Sequence, residues 1–258
     1  LSADNSGVTI DMRIATSGGY KITGGTAADT FYGGVGKDTF VINTASDATS
    51  DTYDGGGDTD TLELSSGSSS FSNNSSIVNI ENIKANSSGG TIILSGQTEG
   101  FTITGDTGVD IITGGDGNDT ISGGAGGDTI YGGTGDDVIT GNAGRDMLYG
   151  GAGNNDFKFI NEANFGANEA AAKNDYIYGF TTGTDELKFS GANFTGVANG
   201  DTISKTTTKT ADADLVVAAW TPGTVAAGHA NQRFLYNTTD GNLYFDADGD
   251  QATAQILV

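Results

Sequence analysis

Residues 105–158 read GDTGVDIIT GGDGNDTIS GGAGGDTIY GGTGDDVIT GNAGRDMLY GGAGNNDFK, six nonapeptides without a gap between them. Glycine fills positions 1 and 4 of every copy and position 2 of most, which predicts a tight turn because glycine reaches positive φ at little cost. Position 8 is always large and apolar. Since side chains alternate along a strand, position 8 should point inward and positions 7 and 9 outward. Each copy is therefore predicted to form one turn and one short strand, and two copies one coil.

Position 6 carries Asp in five copies and Asn in the sixth. Stacked coils align copies that are two apart, which gives one column of Asp110, Asp128 and Asp146 and another of Asp119, Asp137 and Asn155. Carboxylates about 4.8 Å apart repel by about 1 kcal/mol in water and roughly 3–4 kcal/mol at an effective dielectric of about 20. A hard divalent cation between coils removes this repulsion, and calcium suits oxygen ligands on a flexible backbone better than magnesium does. The two columns therefore predict calcium in the turns.

The nonapeptide G-G-x-G-x-D-x-U-x, with U a large apolar residue, resembles the repeat of the RTX (repeats-in-toxin, hemolysin-type calcium-binding) family. The resemblance implies that each ion lies between repeats i and i+2. Its ligands are the carbonyls of positions 2 and 4 and the Asp of the first repeat, with the carbonyls of positions 1 and 3 and the Asp of the second. Carried onto this chain, the four implied ligand sets are Asp106, Gly108 and Asp110 with Gly123, Ala125 and Asp128; Gly115, Gly117 and Asp119 with Gly132, Thr134 and Asp137; Gly124, Gly126 and Asp128 with Gly141, Ala143 and Asp146; and Gly133, Gly135 and Asp137 with Gly150, Ala152 and Asn155. Asn155 supplies only a neutral oxygen, so the fourth site is expected to be weaker or empty.

A second, less regular array comes earlier in the chain. GGTAADTFY (24–32) and GGVGKDTFV (33–41) are followed by INTA, which is out of register, and then by SDATSDTYD and GGGDTDTLE, which end at residue 63. With that insertion allowed, Asp29, Asp38, Asp51 and Asp60 all fall at position 6. We expect one or two ions here, pairing Asp29 with Asp51 and Asp38 with Asp60. A β-rich segment with solvated turn acids is the alternative interpretation.

The fold class indicated is all-β, a right-handed parallel β-roll or β-solenoid with calcium in its turns, plus a small β-rich C-terminal cap. The predicted division is a first imperfect β-roll at 1–63, a calcium-poor β-solenoid stretch at 64–104, the main β-roll at 105–158 and a capping region at 159–258. The cap should contain a short helix around 169–173 and a β-hairpin over 233–246. In all, about 4–7 calcium ions are expected. Asp175, Asp185 and the acidic turn from Asp246 to Asp250 leave open whether they bind a further ion.

Composition narrows the possible functions. The 258 residues include 33 acidic and 11 basic side chains, a formal charge of −22, so nucleic acid and anionic membranes are poor partners. The chain has no cysteine for a disulfide, and its apolar runs are too short for membrane insertion. A single His229, the absence of a thiol and the absence of G-x-S-x-G speak against an enzyme. Carboxylate-pair hydrolysis stays open, although the repeat already accounts for most of the acids.

These features predict a non-enzymatic calcium-binding module, secreted and extracellular or at a bacterial cell surface, that folds on calcium after type I secretion. A structural role in an S-layer or adhesin is one interpretation. The alternative is the C-terminal carrier domain of a secreted protease, lipase or toxin whose catalytic domain lies upstream. Besides calcium, the expected partners are the type I secretion machinery and either further copies of the chain or a cell-surface polysaccharide. The family carries its export signal at the C-terminus, so the natural chain is expected to extend beyond Val258 and to begin before Leu1.

Overall fold

The computed structural model describes residues 6–15, 18–43, 50–65, 69–71, 76–85, 89–160, 175–181 and 184–190, followed by five short strands. The first half of the described strands are β1 (Thr9–Asp11), β2 (Lys21–Thr23), β3 (Thr30–Gly34), β4 (Thr39–Ile42), β5 (Thr52–Gly56), β6 (Thr61–Leu64), β7 (Ser69–Ser70), β8 (Ile77–Val78), β9 (Asn82–Lys84), β10 (Thr91–Ile93), β11 (Thr102–Thr104) and β12 (Ile111–Gly115). The second half are β13 (Thr120–Ala125), β14 (Thr129–Thr134), β15 (Val138–Ala143), β16 (Met147–Ala152), β17 (Asp156–Ile160), β18 (Tyr176–Tyr178), β19 (Glu186–Ser190), β20 (Thr202–Ile203), β21 (Leu215–Ala218), β22 (Phe234–Asn237), β23 (Asn242–Phe245) and β24 (Ile256–Leu257).

Three sheets build a parallel β-solenoid, which confirms the predicted fold class. One has four strands in the order β1-β3-β5-β8, and one has six in the order β18-β16-β14-β12-β10-β7. The third has ten, in the order β2-β4-β6-β9-β11-β13-β15-β17-β19-β20. Strands that follow each other in the two arrays belong to different sheets, and each pairs in parallel with the strand one coil away. Among the described strands of these three sheets, only the pair β19–β20 is antiparallel.

The pairing register follows the repeat. In the main array, Thr120 pairs with Val138 and Thr129 with Met147, so position 7 lies on position 7 one coil later. In the first array the insertion lengthens the coil, and Thr30 pairs with Thr52 while Thr39 pairs with Thr61. The extra residues are therefore accommodated between β4 and β5 without shifting the strands out of alignment.

The ten-stranded sheet runs through both arrays and through the segment between them. On the opposite side of the solenoid, β8 is the last strand of the four-stranded sheet and β7 the first strand of the six-stranded sheet. On this side of the solenoid, one sheet thus ends and another begins within 64–90. On the other side, the ten-stranded sheet continues through β9 and β11. The solenoid also continues past residue 158, because β18 pairs with β16 and β19 pairs with β17.

Position 8 forms the core, as the alternation predicted. Its side chains are all buried between the sheets, namely Phe31, Phe40, Tyr53, Leu62, Ile112, Ile121, Ile130, Ile139, Leu148 and Phe157. In the first array these are mostly aromatic, and the rings of Phe31 and Tyr53 stack with centroids 5.4 Å apart. Burying each such side chain contributes roughly 1.5–3 kcal/mol. The core is narrow, because it lies between short strands of two facing sheets. So narrow a core leaves the turns to be stabilised in another way.

The C-terminal strands form a separate small sheet in the order β21-β22-β23-β24. Within the hairpin predicted over 233–246, β22 and β23 are antiparallel with Phe234 opposite Phe245. The helix predicted around 169–173 and the acidic turn from Asp246 to Asp250 both lie outside the described residues.

Candidate metal centre

The acids of position 6 form the two predicted columns. All of them are buried, as is Asn155. In one column the N–H of Asp110 donates to Oδ1 of Asp128 at 2.9 Å, and the N–H of Asp128 donates to Oδ1 of Asp146 at 2.7 Å. In the other column the N–H of Asp119 donates to Oδ1 of Asp137 at 2.9 Å. One oxygen of each carboxylate therefore connects its coil to the coil before it.

The second oxygen of these carboxylates is the unusual feature of the turns. Within the described part of the chain, six buried carboxylates have an Oδ2 atom without a hydrogen-bond partner, namely those of Asp38, Asp60, Asp119, Asp128, Asp137 and Asp146. Buried polar atoms nearly always have a partner, and a buried charge is costly unless it is paired or binds a metal. Six equivalent atoms in this state indicate that a cation belongs next to each of them.

Five of these six oxygens, all except that of Asp146, lie close to a backbone carbonyl across the gap between two coils. A Cβ atom added to Gly114, at position 1, would collide with Oδ2 of Asp119 and with the carbonyl oxygen of Gly132 in the next coil. The same arrangement recurs along both columns, at Gly33, Gly123 and Gly132. The gap thus presents a carboxylate oxygen from one coil and a carbonyl oxygen from the next, which are hard ligands of the kind calcium binds. These residues fit the ion that the sequence predicted.

Glycines at positions 2 and 4 allow the coils to approach each other. Gly124 has φ +110° and Gly135 has φ +123°. A side chain on Gly124 would overlap the carbonyl oxygen of Asp106 one coil earlier, and one on Gly135 would overlap that of Gly117. The carbonyls of positions 2 and 4 therefore point at the following coil, where that of Asp106 accepts the N–H of Ala125 at 2.7 Å. Asn142 takes position 2 of the fifth copy with φ +69°, a conformation that Asn tolerates better than most residues.

Carbonyls must complete the coordination. No group of three or more His, Cys, Asp or Glu side chains that could hold a metal occurs among the residues that the structure describes. Each gap between coils has one acid from each of two stacked copies. Calcium takes 6–8 oxygen ligands, typically at about 2.3–2.6 Å, so backbone carbonyls must supply most of the remainder.

The electrostatics of the columns agree with a cation beside these carboxylates. Burial raises the pKa of Asp119 to about 7; the N–H of Phe101 acts in the opposite direction, and the carboxylate of Asp137 raises the pKa further. Burial is also the main cause that raises the pKa of Asp128 to about 7 and the pKa values of Asp60 and Asp137 to about 6. Without a cation, these carboxylates resist ionisation near neutral pH. Protons and calcium should therefore compete for the same oxygens.

This competition predicts that the stability of the calcium-free fold increases as the pH falls. The folded-state pKa values of Asp119 and Asp128, about 7, lie above the unfolded value of about 3.9, so the folded state binds extra protons between those limits. Lowering the pH from about 8 to about 5 in EDTA should therefore increase the β signal in circular dichroism. With calcium present, the same change should raise the calcium concentration needed to saturate the sites of the folded chain, because protons compete for the same oxygens. An Asp119→Asn, Asp128→Asn double variant should show a smaller pH effect in EDTA, and a wild-type signal independent of pH would contradict the prediction.

Two acids of the first array differ from the others. Oδ1 of Asp29 accepts the N–H of Val8 at 2.8 Å, and its Oδ2 accepts the N–H of Gly25 at 3.0 Å. In Asp51, Oδ1 accepts the N–H of Asp29 and Oδ2 accepts the hydroxyl of Tyr53 at 2.9 Å. The structure brings Asp29 and Asp51 together as predicted, but protein donors already occupy their oxygens.

Asn155, the last residue of the second column, also differs from the acids before it. Oδ1 of Asn155 accepts the N–H of Asp137 at 3.1 Å, and its Nδ2 donates to Oδ1 of Asp185 at 3.3 Å. Nδ2 faces Gly150, where the other copies place a carboxylate oxygen. The weaker fourth site expected from Asn155 stays a prediction. The geometry adds that Asn155 offers no anionic oxygen to the coil that follows.

Three acids outside the nonapeptides continue the columns. The N–H of Asp60 donates to Oε2 of Glu81 at 2.8 Å, that of Asp146 to Oδ1 of Asp175 at 2.9 Å, and that of Asn155 to Oδ1 of Asp185 at 3.0 Å. Glu81 was not recognised in the sequence, and Asp175 and Asp185 were left open. One signal could have found all three, because each stands two residues before an inward-facing apolar side chain, as in the repeat.

Parallel coils stacked on two columns of buried acids define a metal-binding β-roll. Comparison with protein families agrees, because the RTX calcium-binding nonapeptide repeat matches the chain in four copies, at residues 21–41, 102–130 and 122–157. The matched segments are similar to RTX calcium-binding repeats, which supports calcium as the ion held between the coils. None of the curated proteins compared with the chain matches it. No helix within the described residues is long and apolar enough to cross a membrane.

Proposed function

We propose that this chain is an extracellular structural module that is exported without calcium and folds when calcium fills the gaps between its coils. The observation that carries the proposal is the set of unpartnered Oδ2 atoms in the described coils, each buried beside its position-1 glycine. RTX β-roll repeats are typically non-catalytic, which agrees with a binding and structural role. Two rolls joined by residues 64–104 remain our division of the solenoid, with 159–258 as its cap.

We assign the ions of the main roll to the four gaps implied by the sequence. The central pairs Asp119–Asp137 and Asp128–Asp146 have the most complete geometry, because their Oδ2 atoms are unpartnered within the described coils. In the first roll, Asp38 and Asp60 meet the same criterion, and Gly33 faces the carbonyl of Gly55 as in the main roll. Asp29–Asp51 is the weaker candidate of that roll, since its oxygens already accept hydrogen bonds.

Folding on calcium suits export through a narrow channel. Extracellular calcium modules bind with Kd of about 0.1–1 mM, so sites of this kind stay empty at cytosolic calcium levels. The uncompensated charge of −22 then keeps the chain expanded. Outside the cell, calcium fills the gaps and the coils close on one another. We therefore place the mature module outside the cell, exported by a type I secretion machinery.

The surface of the six-stranded sheet supports a role in assembly. Ile111, Tyr131, Met147 and Tyr178 are exposed on this face. The rings of Tyr131, Tyr149 and Tyr178 stack in sequence at 4.6 and 4.7 Å. A row of exposed apolar side chains on a rigid sheet is typical of a contact surface. This face supports a cell-surface role, such as an S-layer or an adhesin, over that of a carrier domain.

Whether the chain assembles in calcium distinguishes the cell-surface role from the carrier-domain role. The chain at high concentration in calcium should form ordered two-dimensional arrays or regular oligomers, seen by electron microscopy and light scattering. A Tyr131→Ser, Met147→Ser variant should fold equally well in calcium but assemble less, because it loses exposed apolar area from the contact face. Folded, strictly monomeric wild-type chain in calcium would favour the alternative, a carrier domain of a secreted protease, lipase or toxin. Failure to bind calcium would overturn both.

A further inference from the structure

We propose a further site for a calcium-class divalent cation at the end of the first array, between Asp60 of its last nonapeptide and Glu81, which lies outside the repeats. The site lies at the junction of the first roll and residues 64–104, a stretch that the sequence assigned as poor in calcium. It would use the two carboxylates together with the carbonyl oxygen of Asn79. The proposal rests on the calcium sites proposed above, whose stacked acids form a ladder along the solenoid. It extends this ladder to a coil that has no nonapeptide.

Asp60 provides the buried, unpartnered oxygen. The side chain is 0% exposed, and its Oδ1 accepts the N–H of Asp38 at 2.6 Å, as in the regular ladder. Its Oδ2 has no hydrogen-bond partner among the described residues and is directed at Gly55, position 1 of the same repeat. In the two rolls, this is where a carboxylate oxygen meets a carbonyl from the following coil. Asp60 therefore needs a partner on the side of the following coil.

Glu81 takes the place that Asp occupies in a regular copy. β9 pairs with β6 in register, Thr61 with Asn82 and Leu62 with Ile83, so Glu81 lies one coil after Asp60. The N–H of Asp60 donates to Oε2 of Glu81 at 2.8 Å, the same bond that the next Asp accepts in the other coils. The Glu81 residue is exposed, and only its longer side chain brings the carboxylate to the ladder.

Asn79 supplies the carbonyl that a regular copy takes from position 1. A Cβ added to Gly55 would collide with this carbonyl oxygen and with Oδ2 of Asp60. Asn79 has φ +53°, in the left-handed region, and its Nδ2 donates to Oδ1 of Asp54 at 2.8 Å. This hydrogen bond holds the turn in the conformation that directs the carbonyl at the gap. The turn is shorter than in the repeat, because Asn79 stands two residues before the acid and position 1 stands five before.

The resulting donor set is made entirely of hard oxygens, which selects calcium-like ions over softer metals. In the repeats, positions 2 and 4 of the earlier copy add carbonyls, and the equivalent residues here are Gly56 and Asp58. Because Glu81 is exposed, water completes the shell on the outer side. The site should therefore bind more weakly and exchange faster than the sites within the main roll. Asp60 would be shared by two ions and would connect the first roll to the following coil.

Counting bound calcium in the full chain tests the proposal. Glu81→Gln keeps an acceptor for the N–H of Asp60 but loses the charge, so it should bind one calcium fewer than wild type in equilibrium dialysis. Glu81→Asp keeps the charge but shortens the side chain, and it should lose the same ion. Glu63→Gln is the matched control: this glutamate lies on β6, pairs with Lys21 at 2.9 Å and should leave the count unchanged.

A crystal structure of wild type grown in calcium gives a second readout that needs no variant. Ion density bounded by Oδ2 of Asp60, the Asn79 carbonyl and Glu81 supports the site, and its absence overturns it even if the variants misfold. An unchanged count in both Glu81 variants also overturns it. Wild type that binds no calcium at all would instead defeat the proposed function.

Discussion

Chelation with EDTA at neutral pH is expected to unfold the β-roll, and excess calcium should restore its β structure. The reason lies in the six buried Oδ2 atoms that have no partner in the described coils. Each such atom costs roughly 1–3 kcal/mol and more when charged, or roughly 6–18 kcal/mol for six. The net stability of a whole domain is only about 5–15 kcal/mol. The calcium-free fold therefore lacks the stability to persist.

Far-ultraviolet circular dichroism measures the loss and recovery of strands. The near-ultraviolet signal of the stacked Tyr131, Tyr149 and Tyr178 should report the six-stranded sheet in the same titration. The calcium dependence should be steep, because neighbouring gaps share an Asp and fill together. Magnesium at the same concentration is the control; it should restore little, since it demands a near-ideal octahedral shell. A spectrum unchanged by EDTA would remove calcium from the folding mechanism.

Replacing Asp128 is expected to cost about twice as much stability in calcium as replacing Asp110. Asp128 lies in the middle of its column and is assigned to two ions, whereas Asp110 is assigned to one. Oδ2 of Asp110 also accepts the N–H of Asp106 at 2.9 Å, so it depends less on a cation. With Kd of about 0.1–1 mM, each site contributes about 1.4–2.7 kcal/mol at about 10 mM calcium. Asp128→Ala should therefore lose about 3–5 kcal/mol, and Asp110→Ala about half of that.

Urea unfolding at fixed calcium measures both variants. Asp116→Asn is the matched control, because this exposed Asp of the same roll is not an assigned side-chain ligand. Asp128→Asn tests whether the change in stability reverses direction when calcium is removed. The variant keeps an acceptor for the N–H of Asp110, and it removes a carboxylate that has its pKa raised to about 7 by burial. It should therefore weaken the fold in calcium yet stabilise the calcium-free fold in EDTA. Equal losses for Asp110 and Asp128 would contradict the sharing of Asp128.

Much of the fold could be predicted because the conformation of each repeat depends on residues that are close together in the sequence. Glycine at positions 1, 2 and 4 defines the turn, and position 8 must be buried because it alternates with exposed neighbours. From these rules followed the strands, the inward residues and the two columns of acids. The insertion after Val41 was also readable, since restoring the register after it brings Asp29 opposite Asp51 and Asp38 opposite Asp60.

Which carboxylates need a cation could not be predicted in the same way. Asp29 and Asp38 are identical in the repeat, yet Asp29 finds two N–H donors, from Val8 and Gly25, and Asp38 keeps one free oxygen among the described residues. Likewise the hydroxyl of Tyr53 occupies Asp51 but not Asp60. Gly25 and Tyr53 belong to the same copies as the acids they contact, and Val8 lies before the first copy. Which oxygens are occupied therefore depends on the detailed conformation of each turn, which the repeat pattern does not specify.

The amino-acid sequence by itself determined the repeating coil, its buried row of apolar side chains and the alignment of the acids, because nearest-neighbour geometry suffices for each. Only the tertiary structure decided where the ladder of acids begins, ends and continues without a repeat. Glu81 joins it through an in-register strand pair, and Asn155 leaves it without an anionic oxygen. The physical reason is that a cation gap is made by two coils, and the atoms that face it belong to residues distant in the chain.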